Sequence, residues 1–176
     1  MRTLIMIYVA LLLTACGYGT VGSNDEPNIL LPGDSPDIYG YIMVKDRDGI
    51  LVVNPEGKDF SHTKEEEDYH EAIRVRMNTD AEVGEEVEVW LEGGVEESYP
   101  GQANGDKIKV VPEKKPDGAD LYPSEALRKA IDKHALGQGV VVVVSSTYED
   151  EEDQWQITLK NTFSTEEERE RIVVRD

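Results

Sequence analysis

The stretch Ile38-Tyr39-Gly40-Tyr41-Ile42-Met43-Val44, then Asp46-Arg47-Asp48-Gly49, then Ile50-Leu51-Val52-Val53-Asn54, decides the fold. In the first segment Ile38, Gly40, Ile42 and Val44 alternate with Tyr39, Tyr41 and Met43, the period of two that places successive side chains on opposite faces of a strand. Neither set is polar, so the strand should be at least partly covered on both faces. Asp-Gly then marks a hairpin tip, because such turns need positive φ, and Ile50 to Asn54 should run back antiparallel.

Working outward, Ala72 to Met77 predicts a third strand, separated from the hairpin by the charged run from Asn54 to Glu71, which reads as a long surface loop with at most one helical turn. Val83-Gly84-Glu85 makes a turn into a fourth strand, where Val87, Val89 and Leu91 point one way and Glu86, Glu88, Trp90 and Glu92 the other. Gly93-Gly94 bends the chain, and Lys107-Ile108-Lys109-Val110-Val111 predicts a fifth strand that ends at Pro112. Five short antiparallel strands with long loops suggest a small OB-like barrel over residues 38–112. The span Asn78 to Glu85 is too short for the full helix such barrels usually carry between strands three and four. An SH3-like barrel or open sandwich is the other arrangement the pattern allows.

Pro112-Glu113-Lys114-Lys115-Pro116 breaks the periodicity, so residues 113–119 read as a linker. Beyond it, residues 120–176 should form a small α/β extension. Ser124 is placed to cap a helix whose Leu127, Ala130, Ile131 and His134 recur at helical spacing, with Gly137 as its stop. Val140 to Val144 reads as a covered strand, and Trp155, Ile157 and Leu159 alternate in its partner, joined through Glu149 to Asp153. Ser164 or Thr165 could cap a last short helix, with Ile172-Val173-Val174 as a terminal strand the competing reading. The overall class is therefore mainly β, α+β in total: a five-stranded antiparallel barrel followed by a helix on a β-hairpin.

The amino-terminal end carries an address. Arg2, the apolar run from Leu4 to Leu13 and then Leu13-Thr14-Ala15-Cys16 read as a lipoprotein leader ending in a lipobox, in which Thr14 and Ala15 supply the small side chains a signal peptidase requires before its cut, with an ordinary secretory signal and a free Cys16 as the other reading. The apolar run is about half of the roughly 20 residues that cross a bilayer as a helix, so it reads as a leader over residues 1–15. Cys16 is the only cysteine. It cannot form a disulfide within the chain, and it stands where a diacylglycerol would be attached, the two chains meeting the requirement for stable anchoring. Residues 16–37, with Gly, Ser, Asn, Asp and three prolines, read as a flexible tether. Extracytoplasmic localisation at the cell membrane is the expectation.

Removing residues 1–15 takes away one arginine and no acid, so 17 basic against 37 acidic residues leave a charge of −20. Nucleic acid and anionic lipid headgroups are disfavoured partners for such a polyanion. Among candidate sites, His62, His70 and Glu66 match no established metal-ligand spacing and read as surface groups, while His134 reads as a core-edge residue with a solvated polar end. Asp46, Asp48 and Gly49 lack the remaining ligands of a calcium loop and fit a hairpin tip. No nucleophile elbow, phosphate loop or zincin motif is present, so no catalytic residue, metal or cofactor is assigned. A binding surface is instead expected at Ser98-Tyr99-Pro100, with Trp90 on the polar face of its strand and with Tyr39 and Tyr41.

Gly40-Tyr41-Ile42, Ile50-Leu51-Val52-Val53, Val83 to Trp90 and above all Ser98-Tyr99-Pro100-Gly101-Gln102-Ala103 resemble the YobA-like domain of unknown function in lipoproteins of bacilli. The resemblance covers residues 38–112. It implies a secreted OB-like barrel behind a lipobox and carries no catalytic residues. The function expected is a non-catalytic binding module at the cell surface, with an envelope protein or glycan as partner. An acidic divalent-cation-binding or stress-protective surface protein is the alternative.

Overall fold

The computed structural model describes residues 35–58, 69–134, 139–162 and 169–176. The lipobox Leu13-Thr14-Ala15-Cys16, most of the tether, His62, Glu66 and the proposed cap at Ser164 or Thr165 lie outside these residues. In chain order the elements are β1 (Ile38–Asp46), β2 (Gly49–Lys58), β3 (Tyr69–Arg76), β4 (Glu86–Glu96), β5 (Gly101–Val110), α1 (Pro123–Ile131), β6 (Val141–Glu149), β7 (Gln154–Asn161) and β8 (Arg169–Arg175). Among the described residues no helix is long and apolar enough to cross a membrane.

Strands β1 to β5 close into a barrel of order β1-β2-β3-β5-β4, with β4 returning to pair with β1. One pairing departs from the all-antiparallel expectation: β3 and β5 run parallel, Ile73 opposite Gly101 and Arg76 opposite Asn104. Parity requires this. A closed ring of five strands cannot alternate direction at every neighbour, so at least one pair must be parallel. The hairpins also run longer than the sequence suggests. Beyond a bulge between Val53 and Gly57, β2 continues to Lys58, and β4 and β5 extend through the glycine-rich stretch, with a bulge between Glu92 and Glu96, to a tip at residues 97–100. Gly93, with φ of 82°, takes up the irregularity rather than ending the strand.

The barrel interior is filled by Ile38, Ile42, Ile50, Val52, Ile73, Val75, Val87 and Val89, all buried. These are the inward positions of the alternating pattern. Burying each such side chain contributes roughly 1.5–3 kcal/mol relative to leaving it exposed. At the β1–β2 tip Asp46 pairs with Gly49, whose φ of 142° is open only to glycine. The Asp46 carboxylate accepts from the Asp48 amide at 3.0 Å and from Arg74 at 2.6 Å. Those hydrogen bonds, the first of them from the backbone, and the arginine charge hold it below the usual carboxylate range. The hairpin thus accounts for the residues that resembled part of a calcium loop.

A second core lies outside the barrel wall. Met43, Leu51, Val53 and Ala72 point outward from β1, β2 and β3 and are buried against Ala126, Leu127, Val142, Trp155, Ile157 and Leu159 of the extension. The apolar alternate positions of β1 are explained by this in part: Ile38 and Ile42 fill the barrel and Met43 joins the core shared with the extension, while Val44, beyond the register shift that follows Ile42, is exposed. In place of the expected hairpin, β6, β7 and β8 form a three-stranded antiparallel sheet, Trp155 opposite Val174 and Ile157 opposite Ile172. The terminal-strand reading of Ile172 to Val174 is the one realised, because Ile172 and Val174 are buried on the face shared with Trp155 and Ile157.

Helix α1 starts and stops differently from its sequence reading. Tyr122 is the N-cap, Pro123 opens the first turn, and the Tyr122 amide donates to the Glu125 carboxylate at 2.8 Å. Ser124 lies inside the helix. Its amide and its hydroxyl both donate to Glu113, at 2.9 and 2.7 Å, so a carboxylate from the expected linker satisfies the helix start. The helix ends at Ile131, with Asp132 as C-cap, before His134. Arg128 donates to the Val83 carbonyl at 2.9 Å, tying α1 to the β3–β4 connection, which itself holds no helix.

Asp176 closes the extension. Its carboxylate accepts from the amides of Asp120 and Leu121 and from the Trp155 indole. Burial disfavours the charge, but these donors outweigh it and hold the carboxyl below its usual range.

Candidate functional site

The residues expected to form one binding surface occupy two different places. Tyr41 and Tyr99 pack against the core shared by barrel and extension. Tyr99 is at the β4–β5 tip, where its hydroxyl donates to the His70 carbonyl at 3.0 Å and its ring lies 5.8 Å from that of Tyr69. Burial raises its pKa. Ser98 and Pro100 complete the same tip, the Ser98 hydroxyl donating to the Pro100 carbonyl at 2.8 Å. His70 is buried, with Nδ1 3.1 Å from the Asn54 carbonyl, and so is not the surface histidine the charged loop suggested.

Tyr39 and Trp90 also face outward and are half-buried, but the extension does not cover them. Tyr39 is the cross-strand partner of Glu88, and Glu88 in turn that of Lys109, so one row runs across β1, β4 and β5. In the next row Trp90 faces Lys107. The Lys107 ammonium sits 4.2 Å from the Trp90 ring centroid, and Lys109 pairs with Glu88 at 2.8 Å. A cation over an exposed indole contributes about 0.5–1 kcal/mol, and a surface ion pair about 0–1 kcal/mol. These contacts fix the orientation of the indole more than they stabilise the fold. The arrangement offers two aromatic rings within a frame of hydrogen-bonding charges, the composition that suits a sugar ring or a peptide strand.

The wall that OB-type modules generally use, around strands two and three, is closed here. Leu51, Val53 and Ala72 are buried beneath the extension. The strands left open outward are β1, β4 and β5, where Tyr39 and Trp90 lie. Among the described residues no group of three or more histidine, cysteine, aspartate or glutamate side chains is gathered in a way that could hold a metal ion.

Residues 39–112 match the family described as a protein of unknown function, DUF3221. The DUF3221 match starts at Tyr39 and stops at Pro112, taking in the barrel and leaving out Glu113, α1 and the second sheet. No curated protein and no solved structure matches the chain.

One part of the molecule was not visible in the sequence. Where β4 starts, a cleft of about 320 Å³ opens between barrel, linker and extension, lined in part by Tyr41, Glu86, Glu113, Ser124 and Ser146. Glu86 belongs to a regular polar alternation with Glu88, and nothing local distinguishes the two. Only the residues of α1 and β6 that line the same cleft, Ser124, Leu127 and Ser146, give Glu86 different surroundings.

Proposed function

We propose that the protein is a lipid-anchored, extracytoplasmic binding module without catalytic activity, which engages an envelope glycan or protein through the open wall formed by β1, β4 and β5. The observation that carries the binding reading is Trp90, half-buried beside Tyr39 and oriented by Lys107 at 4.2 Å, on the wall the extension leaves uncovered. The anchoring reading rests on Leu13-Thr14-Ala15-Cys16, and the YobA-like lipoproteins of bacilli are the group within DUF3221 to which we assign the barrel.

The test compares full-length protein with Cys16→Ala and Trp90→Ala by intact mass, fractionation and co-sedimentation with purified cell-wall glycan, with crosslinking on whole cells for a protein partner. A diacylated, membrane-bound wild type and a soluble Cys16→Ala variant support the anchor. Loss of glycan or crosslinked partner in Trp90→Ala, with the fold intact, supports the wall. If wild type and Cys16→Ala are both unmodified in the medium, the anchor is refuted. If Trp90→Ala captures everything the wild type does, the wall is the wrong surface.

A further inference from the structure

The cleft beside β4 combines three features. Its walls come from separate parts of the chain: Tyr41 from β1, Glu86 from β4, Val111 and Pro112 after β5, and Ser124 and Leu127 from α1. Its volume of about 320 Å³ lies at the lower end of the range for small-ligand sites, which favour such junctions. Its polar groups differ in how they are satisfied. Glu113 already accepts the amide and hydroxyl of Ser124. Glu85 accepts the Glu82 amide at 2.8 Å. Neither the Glu86 carboxylate nor the Tyr41 hydroxyl has a hydrogen-bond or ion-pair partner among the described residues, although the two residues are direct cross-strand partners.

Partial burial without a compensating cation is costly for a carboxylate. Desolvation alone raises the Glu86 pKa, whereas the acids that have donors, Asp46 and Asp176, are lowered. Tyr41 is raised by burial and then by the charge of Glu113, a second carboxylate of the cleft lining. Lys114 stands exposed at the rim. Val110, Val111, Pro112 and Leu127 supply an apolar wall next to these charges. A ligand that fits must bring a positively charged donor for Glu86, a group for the Tyr41 hydroxyl, and a short aliphatic stem.

We propose that this cleft is a binding site for a primary ammonium group on a short aliphatic chain, held by the Glu86 carboxylate and the Tyr41 hydroxyl. The site is separate from the Trp90 wall and stands or falls independently of it. A free aliphatic diamine and a lysine side chain share the chemistry. Calorimetric titration at about 0.15 M salt, where long-range attraction to the acidic surface is screened, uses cadaverine and amide-blocked lysine as probes, with the neutral pentanediol of equal length as control. Backbone amide shifts locate the bound probe.

Both or either of the amines should bind and shift the amides of residues 41, 86 and 124, while the diol does not. Cadaverine alone assigns a free diamine, and blocked lysine as well assigns a lysyl side chain. Glu86→Gln should weaken binding roughly ten- to a hundredfold, the range for losing a hydrogen bond to a charged group. Tyr41→Phe should weaken it severalfold, providing a second reading should Glu86→Gln fail to fold. Glu151→Gln, on the β6–β7 turn, should change nothing. The proposal is overturned if the amines bind no better than the diol, if Glu86→Gln binds as the wild type does, or if Glu151→Gln weakens binding equally.

Discussion

The two outer walls of the barrel show what decides whether a strand face becomes core or surface. On β1, β2 and β3 the outward residues Met43, Leu51, Val53 and Ala72 are apolar and buried beneath a helix and a second sheet. On β4 and β5 the outward residues are Glu86, Glu88, Trp90, Lys107 and Lys109, and the wall stays open apart from the margin where Glu86 meets the cleft. Both walls belong to the same ring and share the same interior. Outward composition therefore selects the partner: one wall is completed by the chain itself, and the other presents oriented aromatics among paired charges.

The strongest way to break this comparison is to remove a side chain from the covered wall. Trp155→Ala should cost about 3–5 kcal/mol and leave Trp90 as the sole tryptophan, a fluorescence reporter on the outer wall of the barrel. Because the core is shared, Trp90 fluorescence and far-ultraviolet circular dichroism should both move to lower denaturant by the same amount. Leu51→Ala should cost about 2–5 kcal/mol and behave alike from the barrel side. A barrel transition left in place by Trp155→Ala would mean that the two walls are energetically independent.

A smaller effect is expected at the joint between barrel and extension. Gly84 has φ of 91°, and a Cβ there would lie 2.3 Å from the Ser124 carbonyl oxygen. Gly84→Ala should destabilise by more than about 1 kcal/mol, since both the backbone and the approach of α1 forbid the side chain. Chemical denaturation gives the value. An unchanged midpoint would show that α1 does not hold this position in solution.

Next comes the pH dependence of the extension. The Asp176 carboxyl is lowered in the folded protein, so its contribution is present above its ordinary value of 3.8 and is lost as pH falls through the depressed folded value. Thermal melts between neutral pH and the acid range should therefore show a smaller acid-induced loss in Asp176→Asn than in the wild type, and lower stability at neutral pH. Tyr148, raised to about 12 by burial and then by the hydrogen bond and charge of Asp153, should remain protonated beyond the range of an ordinary tyrosine in an alkaline absorbance titration. The smallest effect belongs to the open wall: Lys107→Ala should cost no more than about 1 kcal/mol, while altering the environment of the Trp90 indole.

How much of this the sequence disclosed follows the range of the signals. The β1–β2 hairpin, the Trp155-Ile157-Leu159 alternation and the existence of the barrel were legible because period-two burial and an Asp-Gly turn are local. The parallel β3–β5 closure was not, since direction around the ring depends on which strands meet. Ser124 resembled a cap because its residue type suits one, whereas Glu113, eleven residues earlier in the chain, supplies the carboxylate. Tyr39 and Tyr41 are near-identical in context, yet one faces solvent and the other the extension. Glu86 and Glu88 differ in the same way, and for the same reason: what covers them is encoded far downstream.

The core shared across residues 43, 51, 53 and 72 gives the boundary at residue 112 a particular meaning. It marks where recognisable family likeness ends, but it does not mark where folding ends. A chain cut there would present a greasy flank of Met43, Leu51, Val53 and Ala72 to water and would behave as a sticky half-molecule. The stretch that matches the family and the stretch that shares a core are, in this protein, two different lengths of polypeptide.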